Sequence, residues 1–156
     1  MGAKVIAAAS SEEKLQTCKE HGADEVLLYP SGKMDRDQQK KLSDDIKELT
    51  NGQGADVVYD PVGGDYAEPA LRATAWEGRY LVVGFAAGDI PKIPLNLALL
   101  KGCQIVGVFW GAFKGREVEA HNANVDELLK LYGDGHLKPH ISSIYSLEEG
   151  SKAISD

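Results

Sequence analysis

The feature that most constrains this chain is an alternation of short apolar runs with amphipathic stretches, repeated along nearly its whole length. A run of four to six apolar residues suits a strand, and a following stretch with apolar residues three and four apart suits a helix packed on it. Parallel strands need a crossover between them, and the intervening helix supplies it. The pattern therefore predicts an α/β protein with a parallel sheet. The predicted strands are residues 4–9, 25–29, 55–59, 79–84 and 104–109, and the predicted helices cover about 12–20, 36–50, 66–76, 95–100 and 117–132. Gly22, Pro30, Asn51-Gly52, Asp60-Pro61 and Gly63-Gly64 mark the stops and turns. The fifth strand is nearly all apolar, as expected of a strand buried on both faces. Residues 141–145 read as one more strand, and Ser146-Leu147-Glu148-Glu149 as a capping box opening a last helix.

Charge narrows the function. Lys plus Arg number 17 and Asp plus Glu 24, a net charge of −7. Nucleic-acid affinity comes largely from clustered basic side chains, so no nucleic-acid partner is expected, and Lys40-Lys41 reads as a solvated helix face. The longest uncharged stretch, Gly102 to Phe113, has 12 residues, short of the ~20 that a membrane-spanning helix needs. No membrane partner is expected either. Two cysteines, Cys18 and Cys103, without a C-x-x-C pair suit a reducing compartment, and no signal-peptide pattern stands at Met1 to Val5, so the expected location is cytoplasmic. His136 and His140 have a metal-like spacing, but Pro139 disfavours the helix that would align them and no third ligand lies near in sequence. No metal site and no catalytic nucleophile is predicted.

Acidic residues and glycines at strand ends suggest a nucleotide-binding sheet, where ligands sit beyond the carboxyl ends of the strands. The glycine fingerprint of such sheets is absent. Only Gly52-Gln53-Gly54 and Gly133-Asp134-Gly135 form G-x-G triplets, and Val57 and Lys138 stand where the third glycine would be.

The strand-end runs Val5 to Lys14, Gly22 to Val26, Asp56 to Gly64, Gly78 to Gly88, Ile90 to Pro94 and Gly107 to Gly111 resemble, in order, the cofactor domain of zinc-independent medium-chain dehydrogenase/reductases. The likeness is to their quinone oxidoreductase, or zeta-crystallin-like, branch. It implies a Rossmann-like, doubly wound parallel sheet and the cofactor NADP(H). It also implies that residues 4–9 correspond to the second strand of the full fold, so that the first strand, the glycine-rich turn and the catalytic domain are not in this sequence. On that reading residues 1–138 are a partial NADP-binding domain and residues 139–156 begin the segment that returns to the catalytic domain. The missing strand is central in a 3-2-1-4-5-6 sheet. The first and third strands here should therefore either close on each other or leave a gap.

Site residues follow from the same resemblance. Ser10 and Ser11 stand where an NAD-specific carboxylate would be, and with Lys14 and Tyr29 they imply a 2′-phosphate site. A simpler account makes Ser10 a helix cap, with Glu13 its capping-box partner. Asp60, Val62 and Gly63 would line the adenosine side, although Asp60 also reads as a turn-former before Pro61. Gly84, Phe85 and Ala86, and Phe109, Trp110 and Gly111, end the fourth and fifth strands and would flank the nicotinamide; core packing is the alternative for the two aromatics of the second trio. The implied activity is NADPH-dependent reduction of a quinone or an activated carbonyl or alkene, with this chain inactive alone. A homodimer through the Gly102 to Trp110 edge strand is implied as well. The alternative is a non-catalytic dimerisation or interaction module built on the same fold.

Overall fold

The computed structural model describes residues 2–156 and forms two compact units, the first ending at Trp110 and the second running from Gly111 to Asp156. In the first unit, β1 (Ile6–Ala9), α1 (Glu12–Glu20), β2 (Glu25–Leu28), α2 (Arg36–Leu49) and β3 (Ala55–Asp60) are followed by a 3-10 turn (Gly64–Tyr66). α3 (Ala67–Arg72), β4 (Thr74–Val82), α4 (Asn96–Lys101) and β5 (Gln104–Gly107) complete it. α5 (Trp110–Arg116) begins at the boundary. The second unit goes on with α6 (Val118–Gly133), a 3-10 turn (Leu147–Glu149) and α7 (Gly150–Ser155).

Every strand pairing is parallel, as the alternation predicts. The strands fall into two sheets, β1-β2 and β3-β4-β5. β1 and β3 do not pair with each other, so of the two expected arrangements the chain adopts the gap. Two features join the half-sheets. α2 packs on both β2 and α3. At the carboxyl ends, the Tyr66 hydroxyl lies 3.0 Å from the Pro30 carbonyl and 2.9 Å from that of Gly32, its ring stacks at a tilt 4.6 Å from that of Tyr29, and Asp65 Oδ2 accepts from Met34 N at 2.9 Å. The core is correspondingly double. Ala67, Leu71, Tyr80 and Leu97 fill one cluster, and Leu27, Met34 and Leu42 the other.

Local chemistry accounts for the element ends. α1 is capped by Ser11, whose Oγ accepts from Lys14 N at 3.3 Å, with Glu12 and Glu13 in the first turn where the helix dipole favours them. The cap is thus one residue beyond the predicted Ser10. α2 opens on a full capping box between Asp35 and Gln38, at 2.8 and 3.0 Å. The Gly52-Gln53-Gly54 triplet is structural: a Cβ on Gly54 would sit 2.6 Å from the Ala73 carbonyl oxygen, so only glycine lets the two backbones touch.

Four expectations change. The helix predicted over 66–76 is a 3-10 turn and a six-residue α3, and the chain enters β4 already at Thr74. The register then slips, since Ala55 pairs with Thr74 but Val57 with Arg79, around Glu77 at φ 58°. A bulge has taken residues whose spacing resembles a helix. β5 ends at Gly107, not Phe109, and it is not buried on both faces: among the described residues it is an edge strand bonded to β4 alone, and only Val106 of its four residues is half-buried. Residues 141–145 form no strand, there being no ladder partner for them among the described residues. The Ser146 signal does open a helix, with Ser146 N donating to Glu149 Oε2 at 3.1 Å.

Candidate nucleotide-binding edge

The carboxyl ends of β3 and β4 carry the densest polar construction in the first unit. Asp60, the last residue of β3, turns its carboxylate back on the chain: Oδ1 accepts from Val62 N at 2.8 Å and Gly63 N at 2.9 Å. This is the turn-forming role, an Asx-type arrangement that fixes the two residues after Pro61. The other oxygen, Oδ2, accepts from the hydroxyl of Tyr80 on β4. Burial, and then that bond, push the Tyr80 phenol far above its ordinary range.

The loop after β4 is laid against this turn. Val83 N and Gly84 N donate to the Asp60 carbonyl at 3.0 and 3.3 Å, Ala86 N to Pro61 O at 3.0 Å, Ala87 N to Val62 O at 2.9 Å, and Gly64 N to Asp89 O at 3.1 Å. The result is a ledge of two interlocked loops, Asp60 to Gly64 and Gly84 to Asp89. Gly63 makes the fit possible. Its backbone sits at φ 67°, ψ −143°, and a Cβ there would lie 2.8 Å from Phe85 Cδ1. Beneath the ledge lies a cavity of about 130 Å³, lined by Leu71, Val82, Phe85, Ile90, Pro91, Ile93 and Ile105, with Asp60 and Tyr80 at its polar end.

The residues predicted for the site separate into groups. Asp60, Val62, Gly63, Gly84, Phe85 and Ala86 come together in the ledge. Ser10, Ser11 and Lys14 stand at the end of β1, and Tyr29 at the end of β2, in the other half-sheet. Tyr29 is half-buried against Tyr66, and its hydroxyl is held above the usual range by burial and by the nearby Tyr66 and Asp60. Phe109 and Trp110 follow β5 without extending it, and Trp110 opens α5; at 78% and 47% exposure neither packs in the core, which removes that account of them. Gly111 lies in the second unit. Two contributors escaped the sequence, Tyr80 and Tyr66. Both act through partners twenty or more residues away, which no local pattern reports.

Parallel strands joined by helices, with glycine-bearing loops gathered at their carboxyl ends, define a Rossmann-type nucleotide-binding fold. The chain belongs to the zinc-binding dehydrogenase family, whose sequence profile matches residues 1–129. It is 39% identical over 154 residues to a quinone oxidoreductase-like protein 2 homolog of Nematostella vectensis, covering 98% of this chain and 40% of that protein. It is 38% identical over 152 residues to the quinone oxidoreductase-like protein 2 of Bos taurus, covering 97% and 41%. A solved mycobacterial structure complexed with NADPH superposes with a TM-score of 0.82 at 25% identity, covering 99% of this chain and 46% of that one. The chain thus spans about two fifths of the length of the curated relatives it matches. Among the described residues no three His, Cys, Asp or Glu side chains lie grouped to hold a metal ion. No helix among the described residues is long and apolar enough to cross a membrane.

Proposed function

We propose that this chain is the NADP(H)-binding portion of a quinone oxidoreductase, with residues 1–138 forming the incomplete cofactor domain and residues 139–156 starting the return to a catalytic domain. The observation that carries this is the ledge of two glycine-bearing loops at the carboxyl ends of β3 and β4, where a cofactor of this family would lie. A bound nicotinamide supplies the hydride for a quinone or an activated carbonyl or alkene. The chain's own part is to hold and to exclude water. The backbone of Gly84 to Ala86 and the exposed ring of Phe85 make a wall with few polar side chains, and Phe109 and Trp110, at the end of the first unit, extend it. The turn of Asp60, Val62 and Gly63 faces the adenosine side.

At the end of β1, Ser11 spends an acceptor lone pair on Lys14 N and keeps its O–H as a donor. Together with Ser10, the Lys14 ammonium and the Tyr29 hydroxyl, it suits a 2′-phosphate better than a bare ribose hydroxyl. Among the described residues no strand lies between β1 and β3 to lead into a helix N-terminus for the pyrophosphate, and these 156 residues alone are expected to bind NADPH poorly. A fluorescence titration checks this directly. The expected result is no saturation in the micromolar range for this chain, and micromolar binding, with preference for NADPH over NADH, once the chain is joined behind the strand, glycine turn and helix of a relative. Failure of the joined protein to bind NADPH sinks the proposal.

A second reading is favoured by one observation. β5 is a free sheet edge, and Ile90, Leu95, Leu99 and Leu100 near it in sequence are exposed. Such an edge invites pairing with another copy, whether in the enzyme's homodimer or in a non-catalytic association module. Val106→Lys places a charge in that strand. Sedimentation should show a concentration-dependent dimer for the parent and a monomer for the variant; equal association in both rules out this edge.

A further inference from the structure

We propose that Tyr80 is a positioning residue that fixes the strand-end ledge through the carboxylate of Asp60. Its bearing on the cofactor rests on the function proposed above; its bearing on the ledge does not.

Oδ1 of Asp60 serves two backbone amides and so settles the conformation of Val62 and Gly63. That rotamer leaves Oδ2 at the end of a cavity whose other walls are Leu71, Val82, Ile93 and Ile105. A charged oxygen facing such walls needs a donor, or the carboxylate swings toward water and drops both amides. Tyr80 supplies the donor from a ring that is 3% exposed, held by Ala67, Leu71 and Leu97. The support then runs outward. Val62 and Pro61 accept from Ala87 N and Ala86 N, so the first loop templates the second. One buried phenol therefore sets the shape of both loops, though it reaches neither surface. Restraint of this kind is the support that a binding edge requires when it is built from loops.

The test uses the 156-residue chain and amide hydrogen exchange, which needs no cofactor. Tyr80→Phe keeps the ring in the core and deletes only the hydroxyl. Exchange at Val62, Gly63, Ala86 and Ala87 should rise about tenfold or more, the scale of losing a hydrogen bond to a charged group. Amides of the β3-β4 ladder, such as Val58 and Leu81, should stay within about twofold of the parent. In an Asp60→Ala background, where no side-chain oxygen is left to receive the phenol, Tyr80→Phe should add nothing at the loop amides. Parent-like loop exchange in Tyr80→Phe overturns the proposal, because the ring alone would then suffice. Uniform acceleration across the ladder, or additive effects in the double variant, overturns it as well, since either marks simple core support. NADPH titration of the joined protein described above is a separate arm: loss of binding there, with the loop response intact, refutes the cofactor reading and leaves the positioning role standing.

Discussion

Leu71→Ala is expected to lower the unfolding free energy by about 2–5 kcal/mol, the range for deleting a fully buried leucine where the site collapses only in part. Leu71 is 0% exposed and is packed with Ala67, Tyr80 and Leu97 in the larger core cluster. It stands on α3, six residues long, a helix far too short to hold itself together without tertiary packing. It also lines the cavity below the ledge, so the deletion enlarges a space that already exists rather than one that can close. Ordinary domains unfold with only about 5–15 kcal/mol. A chain with a split sheet has little to spare, and the variant should show a large fall in urea midpoint, with a slope near that of the parent. A shift worth less than about 1 kcal/mol would mean that the cluster does not carry the first unit.

Gly63→Val is the second large effect, and it separates two physical causes. At φ 67°, ψ −143° the backbone occupies a region essentially reserved for glycine, and a β-branched residue there is strained by about 1–3 kcal/mol wherever its side chain goes. The new Cβ would also meet Phe85 Cδ1 at 2.8 Å and push the second loop off the first. The sum should be a loss of about 2–4 kcal/mol in thermal unfolding, with faster exchange at Ala86 and Ala87. Adding Phe85→Ala should restore the steric share and leave the backbone share. Full recovery would show that the conformation of Gly63 carries no strain, and no recovery that Phe85 is not what the side chain strikes.

Much of the architecture was legible because its signals are local. The apolar runs located all five strands, Gly22 and Asn51-Gly52 marked helix ends, and the Ser146 capping box was found in place. What failed was local as well, but ambiguous. Thr74 to Trp76 continue a helical spacing and even retain a helix-like bond, Thr74 Oγ1 to Ala70 O at 3.1 Å, yet they belong to a bulged strand because β3 offers a ladder. Residues 141–145 carry the β-branched and aromatic residue types of a strand and find no ladder partner among the described residues. Ser10 and Ser11 are equally good caps by type, and only the path of the chain out of β1 chooses Ser11. The candidate site divides in the same way. Glycines and Asp60 at the strand ends were visible because turn chemistry writes itself into adjacent residues. The Tyr80-Asp60 bond and the Tyr66 clasp were not, since each depends on which strand lies beside which.

The unpaired inner edges of β1 and β3 give the acidic balance a role beyond solubility. Each edge offers backbone donors and acceptors to any extended segment, including that of a second copy. Neither Lys nor Pro interrupts Ile6–Ala9 or Ala55–Asp60; the guards present are Asp56 and Asp60 in β3 and the four-residue length of β1. Copies carrying −7 each repel one another before those edges can meet. That repulsion reaches only about 8 Å at physiological ionic strength. In salt, the repulsion therefore no longer keeps another copy from the open strand edges, those of β1 and β3 and that of β5 alike.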